Sequence, residues 1–134
     1  LTEFAYTSQF SSHTMEYFVK LTENYNMIPV LTHVERYPAL INDPSIIGEL
    51  KDMGVIIQTN TNSYTKKASF FSKLKLIKLI KGGYIDVIGS DAHSLTHNDP
   101  RTFTEALDFI SAKCGQSTVR KMMSNAEEIF NSAL

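Results

Sequence analysis

Four short apolar runs alternate with helical patterns along this chain, and that alternation constrains the fold more than any other feature. The runs cover residues 1–6, 28–34, 55–59 and 84–89, and three of them are rich in β-branched residues. Each is followed by apolar residues at three- and four-residue spacing, which is typical of an amphipathic helix. Repeated strand–helix units predict an α/β fold of about four parallel strands, either an open parallel sheet or part of a (β/α) barrel.

Five helical patterns follow the runs. Their apolar positions are Met15, Phe18, Leu21 and Tyr25; Ile46, Ile47, Leu50 and Met53; Phe70, Leu74, Ile77 and Ile80, with lysines on the other face; Phe103, Ala106, Leu107 and Ile110; and Val119, Met122, Met123, Ala126 and Ile129.

The residues between these patterns support the same boundaries. Asp43 and Asp99 each precede a proline, which predicts an N-cap followed by proline at the first helical position. The pair Gly82-Gly83 predicts a helix end, because glycine tolerates positive φ.

Length and composition narrow the class of protein. The chain has 134 residues, 43% of them apolar, as expected for a single globular domain over residues 1–134. A formal net charge of -1 argues against a nucleic-acid-binding module, and no apolar run is long enough to span a bilayer. The lone Cys114 cannot form an internal disulfide, so we expect a soluble cytoplasmic protein. The chain starts at Leu1 rather than Met, which leaves open that a segment upstream is missing.

The most informative feature for function is how the apolar runs end. They lead into polar residues that can carry chemistry, namely His33-Val34-Glu35-Arg36, Gln58-Thr59-Asn60 and Ser90-Asp91-Ala92-His93, and the first run contains Glu3. The carboxyl ends of parallel strands form the functional face of such folds. We therefore expect these residues to converge.

Four of these residues suit a divalent metal. Asp91 and His93 are two apart on an extended chain, so both side chains can point the same way. His33 adds an imidazole and Glu3 a carboxylate able to bridge two ions. Three alternatives stay open: a hydrogen-bonded structural histidine, Asp91 as a loop cap, and Glu3 as an edge residue facing water.

Two further features suggest phosphate chemistry. Arg36 lies three residues after His33, and its planar guanidinium could hold a phosphate with two parallel hydrogen bonds, although it could equally pair with Glu35. The spacing Cys114-x5-Arg120 fits the loop of cysteine-dependent tyrosine phosphatases. That loop must follow a buried strand, whereas Cys114 follows a helical pattern, so a helix–helix connection is the favoured interpretation.

Several segments together resemble a known family. They are Leu1-Thr2-Glu3-Phe4, Pro29-Val30-Leu31-Thr32-His33-Val34-Glu35-Arg36-Tyr37-Pro38, Gly89-Ser90-Asp91-Ala92-His93-Ser94, Glu105-Ala106-Leu107-Asp108-Phe109-Ile110 and Asn125-Ala126-Glu127. They resemble the bacterial capsule- or exopolysaccharide-type tyrosine-protein phosphatases of the polymerase-and-histidinol-phosphatase (PHP) superfamily. The resemblance runs from Leu1 almost to Leu134.

The resemblance implies a distorted (β/α) barrel with up to three divalent ions, commonly manganese, iron or zinc. A metal-bridged hydroxide would attack the phosphorus of phosphotyrosine. By matching position, Glu3 would bridge the first two metals, Asp91 would bind the first, His33 the second and His93 the third, while Arg36 would hold the substrate phosphate. The implied substrate is the phosphotyrosine cluster of a capsule or exopolysaccharide tyrosine kinase, and the implied role is control of capsule synthesis.

Two departures from the family qualify this picture. The family's N-terminal half, with further metal ligands, is absent, so the chain resembles the C-terminal part and is expected to be weakly active. The family also has an arginine where this chain has Asn98, and Arg101 is the nearest substitute for binding substrate.

Half a barrel would expose sheet edges, so we expect a homo-oligomer or a fragment of a longer chain. The alternatives are another PHP phosphoesterase, such as a histidinol-phosphatase, and an inactive, metal-free binding or assembly module.

Overall fold

The computed structural model of the chain describes residues 1–93 and 99–132. Its centre is a three-stranded parallel sheet with strand order β1-β2-β3. The strands are β1 (Val30–Leu31), β2 (Ile56–Asn60) and β3 (Val87–Gly89). The α-helices of this described part are α1 (Ser12–Val19), α2 (Pro38–Asn42), α3 (Pro44–Asp52), α4 (Phe70–Lys81), α5 (Thr102–Cys114) and α6 (Gln116–Ser132).

The strand pairing confirms the predicted alternation of parallel strands with helices. Val30 pairs with Ile56 between β1 and β2, and Thr59 pairs with Ile88 between β2 and β3. Helices α2 and α3 connect the first pair of strands, and α4 connects the second. All three strands therefore end at the same edge of the sheet, which we call the C-terminal edge.

The prediction of a fourth strand at residues 1–6 is wrong for the described chain. Only Thr2 pairs with the sheet, through a single parallel bridge to Leu31. The backbone N–H and C=O of Phe4 instead bond to the hydroxyl of Tyr37, at 3.0 and 3.4 Å. Because these groups are taken by a side chain, the strand cannot continue past Thr2, but the segment stays fixed beside β1.

A core of aliphatic and aromatic side chains holds the helices on the sheet. Ile57 in β2 is fully buried, as are Leu50 from α3 and Ile110 from α5. Beside β1, Phe10 packs edge-on against Phe4 and Tyr37 at ring-centroid distances of 5.8 and 5.3 Å. This aromatic cluster replaces strand pairing as the anchor of the N-terminal segment.

Two helices differ from their sequence patterns. The pattern in α4 places Phe70 and Leu74 with the buried positions, yet they are 65% and 38% exposed. The residues of α4 that face the core are Leu76, Ile77, Leu79 and Ile80. The first helix continues beyond α1 as a π-helical turn, Lys20–Asn24, where the Thr22 hydroxyl donates to the backbone oxygens of Phe18 and Val19.

One of the two predicted N-caps is confirmed in full. Asp43 accepts a hydrogen bond from the Ser45 N–H at the start of α3. Asp99 accepts from the N–H of Arg101, but α5 begins only at Thr102 because the intervening residues form a turn. Gly83 has φ 76°, which confirms the positive-φ helix end after α4.

Asn98 lies outside the described residues. Across residues 1–93 and 99–132, no helix is both long and apolar enough to cross a membrane.

Candidate functional site

The polar residues that follow the strands line one cleft at the C-terminal edge of the sheet. The cleft has a volume of about 350 Å³, and its lining includes Glu3, His33, Gln58, Asn60, Gly89 and Asp91. Residues contributed by the N-terminal segment and by all three strand ends thus meet in this cleft, whereas Arg36 and His93 are not among its lining residues.

Glu3 and His33 form the first pair of potential metal ligands. Glu3 Oε1 lies 3.2 Å from His33 Nε2. Two ligand atoms on one first-row divalent ion, each at 2.0–2.2 Å, are themselves separated by about 3 to 3.5 Å. This separation suits two ligands of one ion, and it equally suits a direct hydrogen bond between the two side chains. The His33 side chain is buried, whereas Glu3 is largely exposed and can adjust to a ligand.

His33 owes its position to an unusual backbone conformation held by β2. Its φ of 41° and ψ of 50° lie in the left-handed region, which non-glycine residues rarely occupy. The buried N–H of His33 donates to Gln58 Oε1 at 2.6 Å. This conformation ends β1 and starts the 3₁₀ turn Val34–Arg36, so it turns the chain toward the cleft.

Asp91 is at the centre of a second group of polar contacts in the site. Its Oδ2 accepts a hydrogen bond from Asn60 Nδ2 at 3.0 Å and lies 3.4 Å from Arg36 Nη2. The φ of Asp91 is 51°, again left-handed. Strained backbone at two of the candidate ligands is consistent with function, because such strain is often found at functional sites.

His93 lies beside Asp91 and is largely exposed. Its Nδ1 is 2.6 Å from the backbone oxygen of Asp91 and 3.6 Å from Asp91 Oδ1. The close contact with a carbonyl requires the proton on Nδ1. In a neutral imidazole this arrangement leaves Nε2 as the nitrogen that can bind a metal.

Arg36 points toward Asp91 rather than Glu35. Its Nη1 donates to the hydroxyl of Tyr6 at 2.9 Å, and its guanidinium lies 5.7 Å from the centre of the Tyr6 ring. The alternative pairing of Arg36 with Glu35 does not occur, since no ion pair joins these two described residues within 4 Å. The guanidinium is about one-third exposed and therefore accessible to an anionic group.

The Glu35 carboxylate bonds to the end of β2 and the turn that follows it rather than to Arg36. Its Oε1 accepts hydrogen bonds from the Asn60 N–H and the Ser63 hydroxyl, both at 2.9 Å. Its buried Oε2 has no hydrogen-bond partner within the described chain. Desolvation by burial raises the pKa of Glu35 above its usual value, against the lowering effect of the bonds from Asn60 and Ser63.

Arg101 is not brought into the cleft. It is largely exposed and is held by Asp99, with the Arg101 Nη2 and Nε atoms 2.5 and 2.6 Å from Asp99 Oδ2. This pairing lowers the pKa of Asp99 and raises that of Arg101. A role for Arg101 in substrate binding stays a prediction.

Cys114 does not occupy a phosphate-binding loop. It is the last residue of α5, and Gly115, with φ 90°, connects it to α6. Burial raises the pKa of the Cys114 thiol, against the lowering effect of the nearby Lys81 charge. A nucleophilic thiolate needs a lowered pKa. The structure thus confirms the helix–helix connection.

The candidate donors do not complete a metal centre. Each pair, Glu3 with His33 and Asp91 with His93, combines a carboxylate with an imidazole, the donor types that bind zinc, manganese or iron. Only the first pair brings two ligand atoms together, since the His93 nitrogen near Asp91 is Nδ1, which is hydrogen-bonded to the Asp91 backbone oxygen. Within residues 1–93 and 99–132, no group of three or more His, Cys, Asp or Glu side chains is arranged to hold an ion. A closed site needs donors from elsewhere or a rearrangement of these two pairs.

Sequence reasoning did not assign the residues that support the ligands. Gln58 fixes His33, Asn60 links Glu35 to Asp91, and Tyr6 contacts Arg36. A signal for the first two was present, because the apolar run at 55–59 ends in polar residues that an ordinary buried strand would not carry. For Tyr6 no signal existed, because its contact depends on the irregular path of residues 3–10.

Comparison with known proteins places this arrangement in context. The chain is 32% identical over 99 residues to the tyrosine-protein phosphatase CpsB of Streptococcus pneumoniae, covering 70% of this chain and 40% of that protein. It is 29% identical over 108 residues to the CpsB of Streptococcus agalactiae, covering 76% and 44%. The chain therefore spans about two-fifths of the length of these relatives.

The fold is also found in a solved structure. A chain from the crystal structures of YwqE from Bacillus subtilis and CpsB from Streptococcus pneumoniae, described as unique metal-dependent tyrosine phosphatases, superimposes with a TM-score of 0.82 at 24% identity. The match covers 95% of this chain and 50% of that one. The α/β architecture described above thus corresponds to part of that larger fold.

A family profile extends this relationship across nearly the whole sequence. The profile of the CpsB/CapC family, described as capsular polysaccharide synthesis, matches residues 1–131. The chain belongs to the CpsB/CapC family of capsular polysaccharide synthesis proteins.

Proposed function

We propose that this chain forms part of a metal-dependent protein-tyrosine phosphatase that acts in capsular or exopolysaccharide synthesis. One observation carries the proposal: Glu3, His33 and Asp91 line a single cleft, and the guanidinium of Arg36 lies 3.4 Å from Asp91. A site with metal-binding donors beside an accessible arginine suits a phosphate monoester. The relatives named tyrosine-protein phosphatase support the substrate class.

In this proposal Glu3, His33, Asp91 and His93 hold divalent manganese, iron or zinc. When bound, the metal supplies Lewis-acid stabilisation of phosphate oxygens and activates water. The chain's own contribution is to fix the donors, through the bond from His33 N–H to Gln58 and the bond from Asn60 to Asp91. Such support orients ligands, and its loss typically lowers metal affinity or activity by 10- to 100-fold.

Arg36 is proposed to hold the substrate phosphate. A guanidinium binds phosphate through two parallel hydrogen bonds. In the structure both Arg36 Nη atoms contact oxygens, those of Tyr6 and Asp91. We propose that the phosphate of a phosphotyrosine side chain takes over these contacts. The substrate would be a capsule or exopolysaccharide tyrosine kinase in the cytoplasm.

The same observations limit the activity of this chain by itself. It covers about two-fifths of the CpsB relatives, and its described residues supply only pairs of donors. We therefore expect weak turnover until further donors are provided by another segment of the parent protein or by a second copy of the chain. A monodisperse 15 kDa monomer in light scattering would exclude the second copy.

The test measures metal content and turnover on the same sample. The chain is reconstituted with Mn²⁺, desalted and analysed for bound metal, and hydrolysis of p-nitrophenyl phosphate and of a phosphotyrosine peptide is recorded. Glu3→Ala and Asp91→Ala should lose metal and turnover together. Arg36→Ala should keep metal and lower kcat/KM by roughly 10- to 150-fold, the effect of a charge-assisted hydrogen bond of about 1.5–3 kcal/mol. Arg120→Ala, an exposed arginine on α6, is the matched control.

Within the part of the chain that the structure describes, the lack of a three-donor group favours one competing function, a metal-free binding or assembly module. That alternative predicts no stoichiometric metal and no turnover in any variant. Faster hydrolysis of histidinol phosphate than of the phosphotyrosine peptide would instead support a histidinol-phosphatase.

A further inference from the structure

The outer face of α4 combines exposed aromatic side chains with a row of lysines. Phe70 and Phe71 are 65% and 76% exposed, with their ring centroids 5.9 Å apart, and Leu74 beside them is 38% exposed. Lys75 and Lys78 are exposed on the same helix. We define this α4 face as Phe70, Phe71, Leu74, Lys75, Lys78 and Lys81.

The charge around this face is strongly segregated, although the whole chain is close to neutral. Residues 66–81 contain six of the chain's 13 Lys and Arg residues and none of its 14 Asp and Glu residues. The rest of the chain therefore has seven basic against 14 acidic residues, a net charge of about -7. The net charge of -1 is therefore the sum of a basic segment, residues 66–81, and an acidic remainder.

The lysines of the α4 face are not used within the fold. In the described part of the chain, Lys75, Lys78 and Lys81 form no ion pair within 4 Å. Lys73 differs, because its ammonium donates to the backbone oxygen of Thr65 and lies 5.0 Å from the centre of the Phe109 ring. The outward lysines thus remain available to an anionic partner.

The exposure of this face is not explained by an unpaired edge of the sheet. Helix α4 connects β2 to β3, and both strands are present and paired with each other. Its inner face, with Leu76, Ile77 and Ile80, is already buried in the core.

We propose that the α4 face binds the surface of a membrane containing anionic lipids. Protruding phenylalanines can enter the boundary between headgroups and acyl chains, while lysines contact phosphate groups. A fluid bilayer suits two protruding rings on a convex helix, because it needs no preformed complementary pocket.

The position of α4 relates this surface to the candidate site. Helix α4 begins at Phe70, after the connection 61–69 that leaves the end of β2 at Asn60, so its aromatic end lies on the side of the C-terminal edge. A chain docked through this end would hold the cleft near the bilayer. The proposal does not depend on the phosphatase function, because neither metal nor turnover enters it.

The experiment measures flotation of the full chain with large unilamellar vesicles. Vesicles of phosphatidylcholine alone are compared with vesicles containing 30% phosphatidylglycerol, in 50 mM and 500 mM NaCl. We expect binding only to the anionic vesicles. Binding should be weaker at high salt, because salt screens the attraction between the lysines and the anionic lipids. Equal binding to both vesicle types, or no binding at low salt, would overturn the proposal.

Variants on the α4 face then separate this surface from non-specific attraction. Lys75→Gln with Lys78→Gln should weaken binding by about 25-fold, at roughly fivefold for each lysine near an anionic surface. Phe70→Ser with Phe71→Ser should weaken it on the order of tenfold.

The matched controls are exposed residues of the same kinds elsewhere: Lys113→Gln with Lys121→Gln, and Met123→Ser with Phe130→Ser. Both control pairs should bind like the parent chain. Equal losses in the controls would contradict the assignment to α4. Capture by a polyglutamate peptide, but not by anionic vesicles, would replace the membrane with an acidic protein segment. Thermal unfolding by circular dichroism checks that every variant is folded.

Discussion

Gln58 is the residue whose removal tests most directly how the fold positions the site. Its side-chain oxygen accepts the buried N–H of His33 at 2.6 Å. Its amide nitrogen donates to the backbone oxygen of Thr59 at 2.8 Å and to Asn60 Oδ1 at 3.0 Å. One buried amide thus holds the left-handed turn at His33 to the end of β2.

The size of the stability loss in Gln58→Ala follows from the groups that are left without hydrogen-bond partners. A buried donor or acceptor without a partner costs about 1–3 kcal/mol. The variant leaves the N–H of His33 without an acceptor and removes one donor from Asn60 Oδ1. We expect a loss of about 2–3 kcal/mol in the free energy of unfolding. For a chain of this length, that corresponds to a fall in Tm of about 8–12 °C, at about 4 °C per kcal/mol.

Thermal unfolding followed by circular dichroism measures this loss, and urea titration supplies the free energy. Gln9→Ala is the matched control, since Gln9 is exposed and its amide makes only a local bond to Thr7. The control should change Tm by less than about 2 °C, as expected for a surface substitution. A Gln58→Ala variant that melts within 2 °C of the parent chain would refute the idea that Gln58 fixes His33.

Two further predictions concern neighbouring residues. In Gly89→Ala the new Cβ would lie 2.7 Å from Gln58 Nε2, so the buried amide must move and we expect the free energy of unfolding to fall by about 1–3 kcal/mol. The control is Gly48→Ala in α3, which should not destabilise the chain because its new Cβ meets only an ordinary contact at 3.8 Å. Equal Tm values for the two variants would contradict this prediction. Because burial raises the pKa of Glu35 in the fold, its ionised form is disfavoured there, so its contribution to stability worsens as the pH rises from 4.5 through the raised pKa. The Tm of Glu35→Gln relative to that of the parent chain should therefore rise as the pH increases from 4.5 to 7.5, and a difference that is independent of pH would rule out this cause.

The sequence predicts the repeating part of the fold well, because repetition depends on local patterns. Three of the four apolar runs contain strands, and the spacings at Ile46–Met53 and Phe103–Ile110 correspond to α3 and α5. The first run fails because the hydroxyl of Tyr37, distant in sequence, captures the backbone of Phe4. A contact across 33 residues leaves no local pattern to detect.

The candidate site could be predicted in its location but not in its detail. Parallel strands that end in polar residues must bring them to one edge, so the convergence of His33 and Asp91 follows from topology. Glu3 reaches the same cleft without a strand of its own, beside the single bridge from Thr2 to Leu31. The direction of Arg36 does not, because it depends on the 3₁₀ turn after His33 and on Glu35 finding Asn60 and Ser63. The exposure of Phe70 could not be predicted either, because the spacing of apolar residues does not show which of them other parts of the fold cover.

The central claim is that the strand ends gather a metal-binding edge from Glu3, His33, Asp91 and His93. Titration of the ¹⁵N-labelled chain with Mn²⁺ tests it directly, because a paramagnetic ion broadens the signals of nearby amides even when it binds weakly. We predict that the amides of residues 3, 33 and 91 broaden first, that Glu3→Gln with Asp91→Asn removes the effect, and that His13→Gln, an exposed histidine away from the cleft, leaves it unchanged. Broadening that is spread over the acidic surface, or that persists in the Glu3/Asp91 double variant, would contradict the account.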